Sequence, residues 1–253
     1  MSTRRVSPNL LKVQAAASFS LILAPLALPQ GLRLRKTATR LPEAPGERSG
    51  LTPGADPVLR VLAVGESPLA GVGLDEQSQG LAARLAERLS EATGRAVQWR
   101  TAARGGLTAA ALREKLVPGL APEPADLILI GLGVNDSLAL RSARRWQRDL
   151  EDLIKELHAR TGPAPVLLAG VPDMYHFPLL PSPLRLLLGS RSRLLDRAAA
   201  RLAARREHTN YVSMALDARS TELFCEDGFH PNRDGHIQWA EQLTPAALQL
   251  LGR

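Results

Sequence analysis

The sequence predicts an α/β fold: a three-layer α/β/α arrangement around a central, mostly five-stranded parallel sheet. Three observations predict it. Short, apolar, β-branched runs recur along the chain, most clearly at 58–64, 126–132 and 165–170. Longer segments with apolar residues at helical spacing separate them. The 253 residues are 45% hydrophobic but only 4% aromatic, so the core is aliphatic, which suits helices packed on a sheet. Strands alternating with helices argue for a parallel sheet buried on both faces, with right-handed crossovers.

The first 57 residues differ from the rest. Arg4, Arg5 and Lys12 precede an apolar stretch over 13–28, and Arg33, Arg35, Lys36 and Arg40 follow it. A basic start before an apolar segment is the pattern of an export signal, but no small-x-small cleavage site closes it. The stretch is slightly short of the roughly 20 residues that cross a bilayer, and Pro25 interrupts it. The favoured expectation is an uncleaved membrane anchor touching lipid through 13–28. A cleaved export signal and a plain amphipathic or core segment are the alternatives. Residues 41–57 are rich in Pro and Gly and read as a linker, so the main domain is expected over 58–253.

Within that domain 58–64 is a buried strand, and 79–92 is a helix with Leu81, Leu85 and Leu89 on one face. Residues 97–100 form a second strand, and Thr108 caps a helix over 109–116. The third strand, 126–132, is followed by a long helix over 143–160 with Trp146, Leu150, Leu153 and Leu157 in register. The fourth strand is 165–170, the next helix 183–207, and the fifth strand 211–214. A closing helix over 235–251 is expected to break near Pro245.

The net charge is +7 and the pI about 10.4. The excess is Arg scattered along helices with acidic residues between, as on solvated faces, and no zinc-finger or RNA-binding signature accompanies it. No nucleic-acid partner is expected. Cys225 is the only cysteine, so no intrachain disulfide forms. Neither metal nor cofactor is expected: no His pair has ligand spacing and no phosphate-binding loop is present.

In such folds, chemistry gathers at the carboxyl ends of the strands. Four segments fall there or near the C-terminus: Gly65-Glu66-Ser67, Arg104-Gly105-Gly106, Gly133-Val134-Asn135-Asp136 and Asp227-Gly228-Phe229-His230. A serine hydroxyl is a weak nucleophile until a base takes its proton. His230 is the candidate base for Ser67, and Asp227 the residue that orients it. Acyl transfer builds an oxyanion, for which the N–H groups of Ser67 and Gly106 and the side-chain amide of Asn135 are candidate donors.

These four blocks, in this order, resemble those of the SGNH (GDSL-type) hydrolase superfamily from about residue 58 to 250. The resemblance implies a flavodoxin-like fold and a serine ester hydrolase acting through a Ser67–His230–Asp227 triad, on a small or lipid-like ester. The chain is expected to act as a monomer, anchored to a membrane or exported. A carbohydrate deacetylase, a thioesterase and a catalytically impaired binding module on the same fold are the alternatives. The family has Asp before the serine, whereas this chain has Glu66, one methylene longer. Glu66 and Asp136 are expected to support the site from behind. Met174, Tyr175 and Phe177 follow the fourth strand, either as an acyl pocket or as a packed connection.

Overall fold

The computed structural model describes residues 10–214 and 221–252. The basic residues Arg4 and Arg5 of the N-terminal pattern lie outside the described residues. The fold is α/β, with a six-stranded mixed sheet rather than a five-stranded parallel one. Its strands are β1 (Ser49–Thr52), β2 (Ala55–Gly65), β3 (Arg95–Ala103), β4 (Leu127–Gly131), β5 (Val166–Ala169) and β6 (Thr209–Val212), in the order β1-β3-β2-β4-β5-β6. The five expected strands pair in parallel. The extra strand, β1, lies in the stretch read as a linker and runs antiparallel to β3 along the edge. It is short and polar, with Gly50 opposite Trp99, so it lacks the apolar run that marks a buried strand.

The helices are α1 (Leu10–Phe19), α2 (Ala24–Thr37), α3 (Leu81–Thr93), α4 (Ala109–Lys115), α5 (Val134–Leu138), α6 (Ala143–Thr161), α7 (Leu184–Ala203) and α8 (Arg233–Leu250). The strand residues alternate between two cores, as the pleat requires. Leu62, Val64, Ile128, Ile130 and Leu168 pack with Leu112 of α4, Trp146 and Leu150 of α6 and Leu194 of α7. Val61, Ala63, Leu127, Leu129 and Leu167 pack on the opposite face with Leu85 and Leu89 of α3 and Trp239 and Leu243 of α8. These are the three layers.

Two local features depart from expectation. The closing helix runs unbroken through Pro245 to Leu250. Proline there removes one N–H whose partner would be the Glu241 carbonyl, and both residues are exposed, so no polar group is sealed from solvent by the missing bond. The short helix α5 follows Gly133, whose φ is +127° and whose added Cβ would lie 2.4 Å from Val171. Only glycine suits that turn.

The N-terminal segment is helical and docked. A 3-10 turn at Ser20–Leu23 joins α1 to α2, and both helices lie along α7. The stretch Ala15–Thr37 is long and apolar enough to cross a membrane by length and composition.

Candidate active site

Strand β2 occupies the middle of the sheet and delivers Ser67 to its carboxyl edge, with Gly65 flanked by Ala103 of β3 and Gly131 of β4. The turn after the serine is closed by hydrogen bonds from Ala70 N–H to the Glu66 carbonyl (3.0 Å) and from Val72 N–H to the Ser67 carbonyl (3.1 Å). Pro68 therefore costs the turn no donor. Ser67 is buried, while its backbone N–H and that of Gly106 are not spent on bonds to other described residues. Gly106 adopts φ +80°, with no atom within 4 Å of the place a Cβ would take, so the space beside its amide is open.

Asp227 and His230 meet as the spacing implied. Asp227 Oδ2 lies 2.6 Å from His230 Nδ1, and Oδ1 accepts the backbone N–H groups of Phe229 (2.9 Å) and His230 (3.0 Å). Burial pushes the Asp227 carboxyl up, but these bonds from His230 and Phe229 outweigh it and hold it below the usual range. The carboxylate is thus ionised at neutral pH, and the ring is fixed through Nδ1 with Nε2 turned away from it. The His230 carbonyl accepts from Cys225 N–H (2.8 Å), and the Cys225 thiol donates weakly to the Gly73 carbonyl (3.7 Å). The histidine loop is thereby seated on the turn that follows Ser67. The His230 ring is bonded to Asp227 and not to the Ser67 hydroxyl; such contacts commonly tighten only when substrate binds.

Glu66 supports the site from behind, through partners distant in sequence. Its buried carboxylate accepts Val134 N–H (2.8 Å) and Asn135 N–H (2.9 Å), and a third, very short bond from the Asn135 side-chain amide. It caps the first turn of α5, a favourable place for a negative charge. Burial nevertheless pushes its pKa up to about 7 against the pull of those donors. The second N–H of the Asn135 amide reaches only the Leu107 carbonyl, at a long 3.3 Å. Asp136 is fully buried and reaches further than its own loop: Oδ2 accepts the N–H of Ala109 (3.0 Å), the first residue of α4. It thus ties the Asn135 turn to the loop bearing Gly106, and burial raises its pKa to about 6.

Met174 and Phe177 take the packed alternative. Both are buried in a cluster with Val134, Leu180, Leu184 and Leu188. Tyr175 lies against Gly189 of α7, with the Arg193 guanidinium 4.1 Å above its ring. A small cavity of about 30 Å³ lies beneath the turn that follows Ser67, lined by Glu66, Pro68, Leu69, Leu81, Met214 and Trp239 among others, and not by Ser67, Gly106, Asn135 or His230. A larger groove of about 400 Å³ between β1 and α3 contains none of the expected site residues. Among the described residues no group of His, Cys, Asp and Glu is arranged to hold a metal.

Comparison with known proteins gives the family and the fold. The model of the GDSL-like Lipase/Acylhydrolase family matches residues 63–237, which spans all four blocks. The GDSL-like esterase Rv1075c of Mycobacterium tuberculosis is 26% identical over 235 residues, covering 86% of this chain and 74% of that protein. The crystal structure of TesA is similar at a TM-score of 0.57 with 26% identity, covering 76% of this chain and 99% of TesA. A carbohydrate esterase of family 3 from Talaromyces cellulolyticus shares the fold at a TM-score of 0.58 and 14% identity, over 77% of this chain and 98% of its own. Together these support a hydrolase acting on esters. With more than half its length matched, the chain belongs to the GDSL-like lipase/acylhydrolase family.

Proposed function

We propose that the protein is a serine esterase that transfers the acyl group of a small carboxylic ester to Ser67 and then to water. The observation that carries this reading is the 2.6 Å Asp227–His230 pair, seated on the turn that follows Ser67. In the first step Nε2 of His230 takes the Ser67 proton as Oγ attacks the ester carbonyl. The carbonyl oxygen becomes an oxyanion facing the N–H groups of Ser67 and Gly106 and the loosely held second N–H of Asn135. Collapse expels the alcohol, which receives the proton from His230. Water, deprotonated by the same ring, then attacks the acyl-enzyme and releases the acid. Asp227 stays ionised throughout and stabilises the imidazolium in each half-reaction.

A fluorophosphonate probe tests the nucleophile directly, because it labels only an activated serine. Labelling of the native protein and none of Ser67→Ala is the expected result, along with loss of p-nitrophenyl acetate hydrolysis in the folded variant. Equal labelling of both proteins, or of neither, would overturn the assignment; the second outcome is the one a binding module would give.

A further inference from the structure

The N-terminal helical segment is built inside out. The residues turned toward the domain recur at helical spacing and are mostly small or polar: Ala17, Ser20, Ala24, Ala27 and Gln30, with Val13 and Leu34 the larger apolar ones. Ala17 and Ala27 are fully buried. The opposite face is strongly apolar and open to solvent, with Phe19 at 74%, Ile22 and Leu26 at 67% and Leu28 at 63% exposure. A soluble helix has the reverse arrangement. Small residues inside and large apolar ones outside are the pattern of a helix that meets protein on one face and lipid on the other.

The inner face is pinned at two points. The Ser190 hydroxyl of α7 donates to Ser20 Oγ at 2.6 Å. Ten residues on, the Gln30 side chain donates to the Ser182 carbonyl (2.8 Å) and accepts the N–H of Leu184 (3.0 Å). The segment therefore lies antiparallel along α7. Although Ala15–Thr37 has the length of a membrane span, roughly 35 Å at 1.5 Å per residue, it cannot cross a bilayer while docked in this way. Doing so would carry α7, with Arg185, Arg193 and Arg197, into the hydrocarbon. Docked, it must lie in the plane of the interface. Four exposed cations, Arg33, Arg35, Lys36 and Arg40, follow the apolar face, so the matching surface is an anionic one.

The placement of this face gives it a consequence for the site. Ala24, Ala27 and Leu34 of the segment share one apolar cluster with Val134, next to Asn135, and with Phe229, next to His230. Leu138 and Leu140, just beyond Asn135, are also exposed.

We propose that the N-terminal segment is an in-plane docking surface for anionic lipid that holds the candidate site against the bilayer. The proposal goes beyond ester hydrolysis, and its test does not need activity. Full-length protein is sedimented with vesicles of phosphatidylcholine plus phosphatidylglycerol and with vesicles of phosphatidylcholine alone. Preferential binding to the anionic vesicles, weakened by salt and fully released by alkaline carbonate, is expected. Combined Phe19→Asp, Ile22→Asp and Leu26→Asp should weaken binding at least ~10-fold, since each removes a large apolar side chain from the lipid, while p-nitrophenyl acetate hydrolysis is retained. Combined Arg33→Gln, Arg35→Gln and Lys36→Gln should erase the preference for anionic vesicles. Resistance to carbonate, as a membrane span would give, overturns the proposal, as does an absence of vesicle binding or binding unchanged in the aspartate variant. If the esterase reading alone fails, hydrolysis is missing from every protein while sedimentation still separates these outcomes.

Discussion

The carboxylate of Glu66 accepts hydrogen bonds from both the backbone N–H and the side-chain amide of Asn135. One residue therefore sets where α5 begins and which way the candidate oxyanion donor points. The Glu66 side chain spans from the end of β2 to the amides beyond β4. Glu66→Gln keeps the length but loses the charge, and places an NH₂ group among donors. A donor that is misaligned but not removed costs less than a deleted one, so kcat should fall ~10-fold with KM within about twofold. Steady-state kinetics on p-nitrophenyl acetate measure both. A change in KM alone would mean that Glu66 acts on substrate binding instead.

The same carboxyl predicts how stability depends on pH. Burial raises it from an ordinary 4.5 to about 7, and Asp136 from 3.8 to about 6. Between those limits the unfolded chain has released protons that the folded chain still holds, so folding stability declines as pH rises. These two groups contribute most to stability below pH 4 and oppose folding fully above pH 7. Buried His236, its pKa lowered by desolvation from 6.5 to about 3, works the other way below pH 6.5, so the test is the difference: from pH 5 to pH 8 the melting temperature of the native protein should fall relative to that of Glu66→Gln. A slope unchanged in the variant would place its origin elsewhere.

Asp227→Asn should leave the loop in place while removing the charge that fixes the histidine. The Asn oxygen can still accept the Phe229 and His230 N–H groups, but the imidazolium loses its counter-charge and Nδ1 its acceptor. A loss in kcat on the order of 10³–10⁴ follows if the pair works as proposed, with little change in melting temperature. Activity within tenfold of native would remove Asp227 from the mechanism.

The pattern of legible and hidden features has physical causes. Strands β2, β4 and β5 are buried on both faces, so their apolar runs announce them. The edge strand β1 is half exposed and carries Gly50 against Trp99, so its residues look like linker. Ser67, Asp227 and His230 stand in short motifs with chemical logic, and the 2.6 Å pair between Asp227 and His230 follows from a three-residue spacing in one loop. The reach of Glu66 to Val134 and Asn135, 68 and 69 residues away, could not be read from its neighbours. For Met174 and Phe177 the sequence leaves pocket and packed connection open, because an apolar loop after a strand end fits both equally well. What decides for packing is α7, which lies over them, and that is a tertiary fact.

Before β1 the chain passes under the site. Gly73 N–H donates to the Pro42 carbonyl, Ala44 N–H to the Gly71 carbonyl, and Gly105 N–H to Glu43 Oε1 at 2.7 Å. The stretch that separates the N-terminal helical segment from the sheet is thus also a buttress for the loops carrying Ser67 and Gly106. Release of the domain from its N-terminal helix by proteolysis is compatible with an intact site only if the cut falls between Thr37 and Pro42. A recombinant protein trimmed to residue 58 would lack the edge strand and the Glu43 clasp together, and its inactivity would say nothing about Ser67.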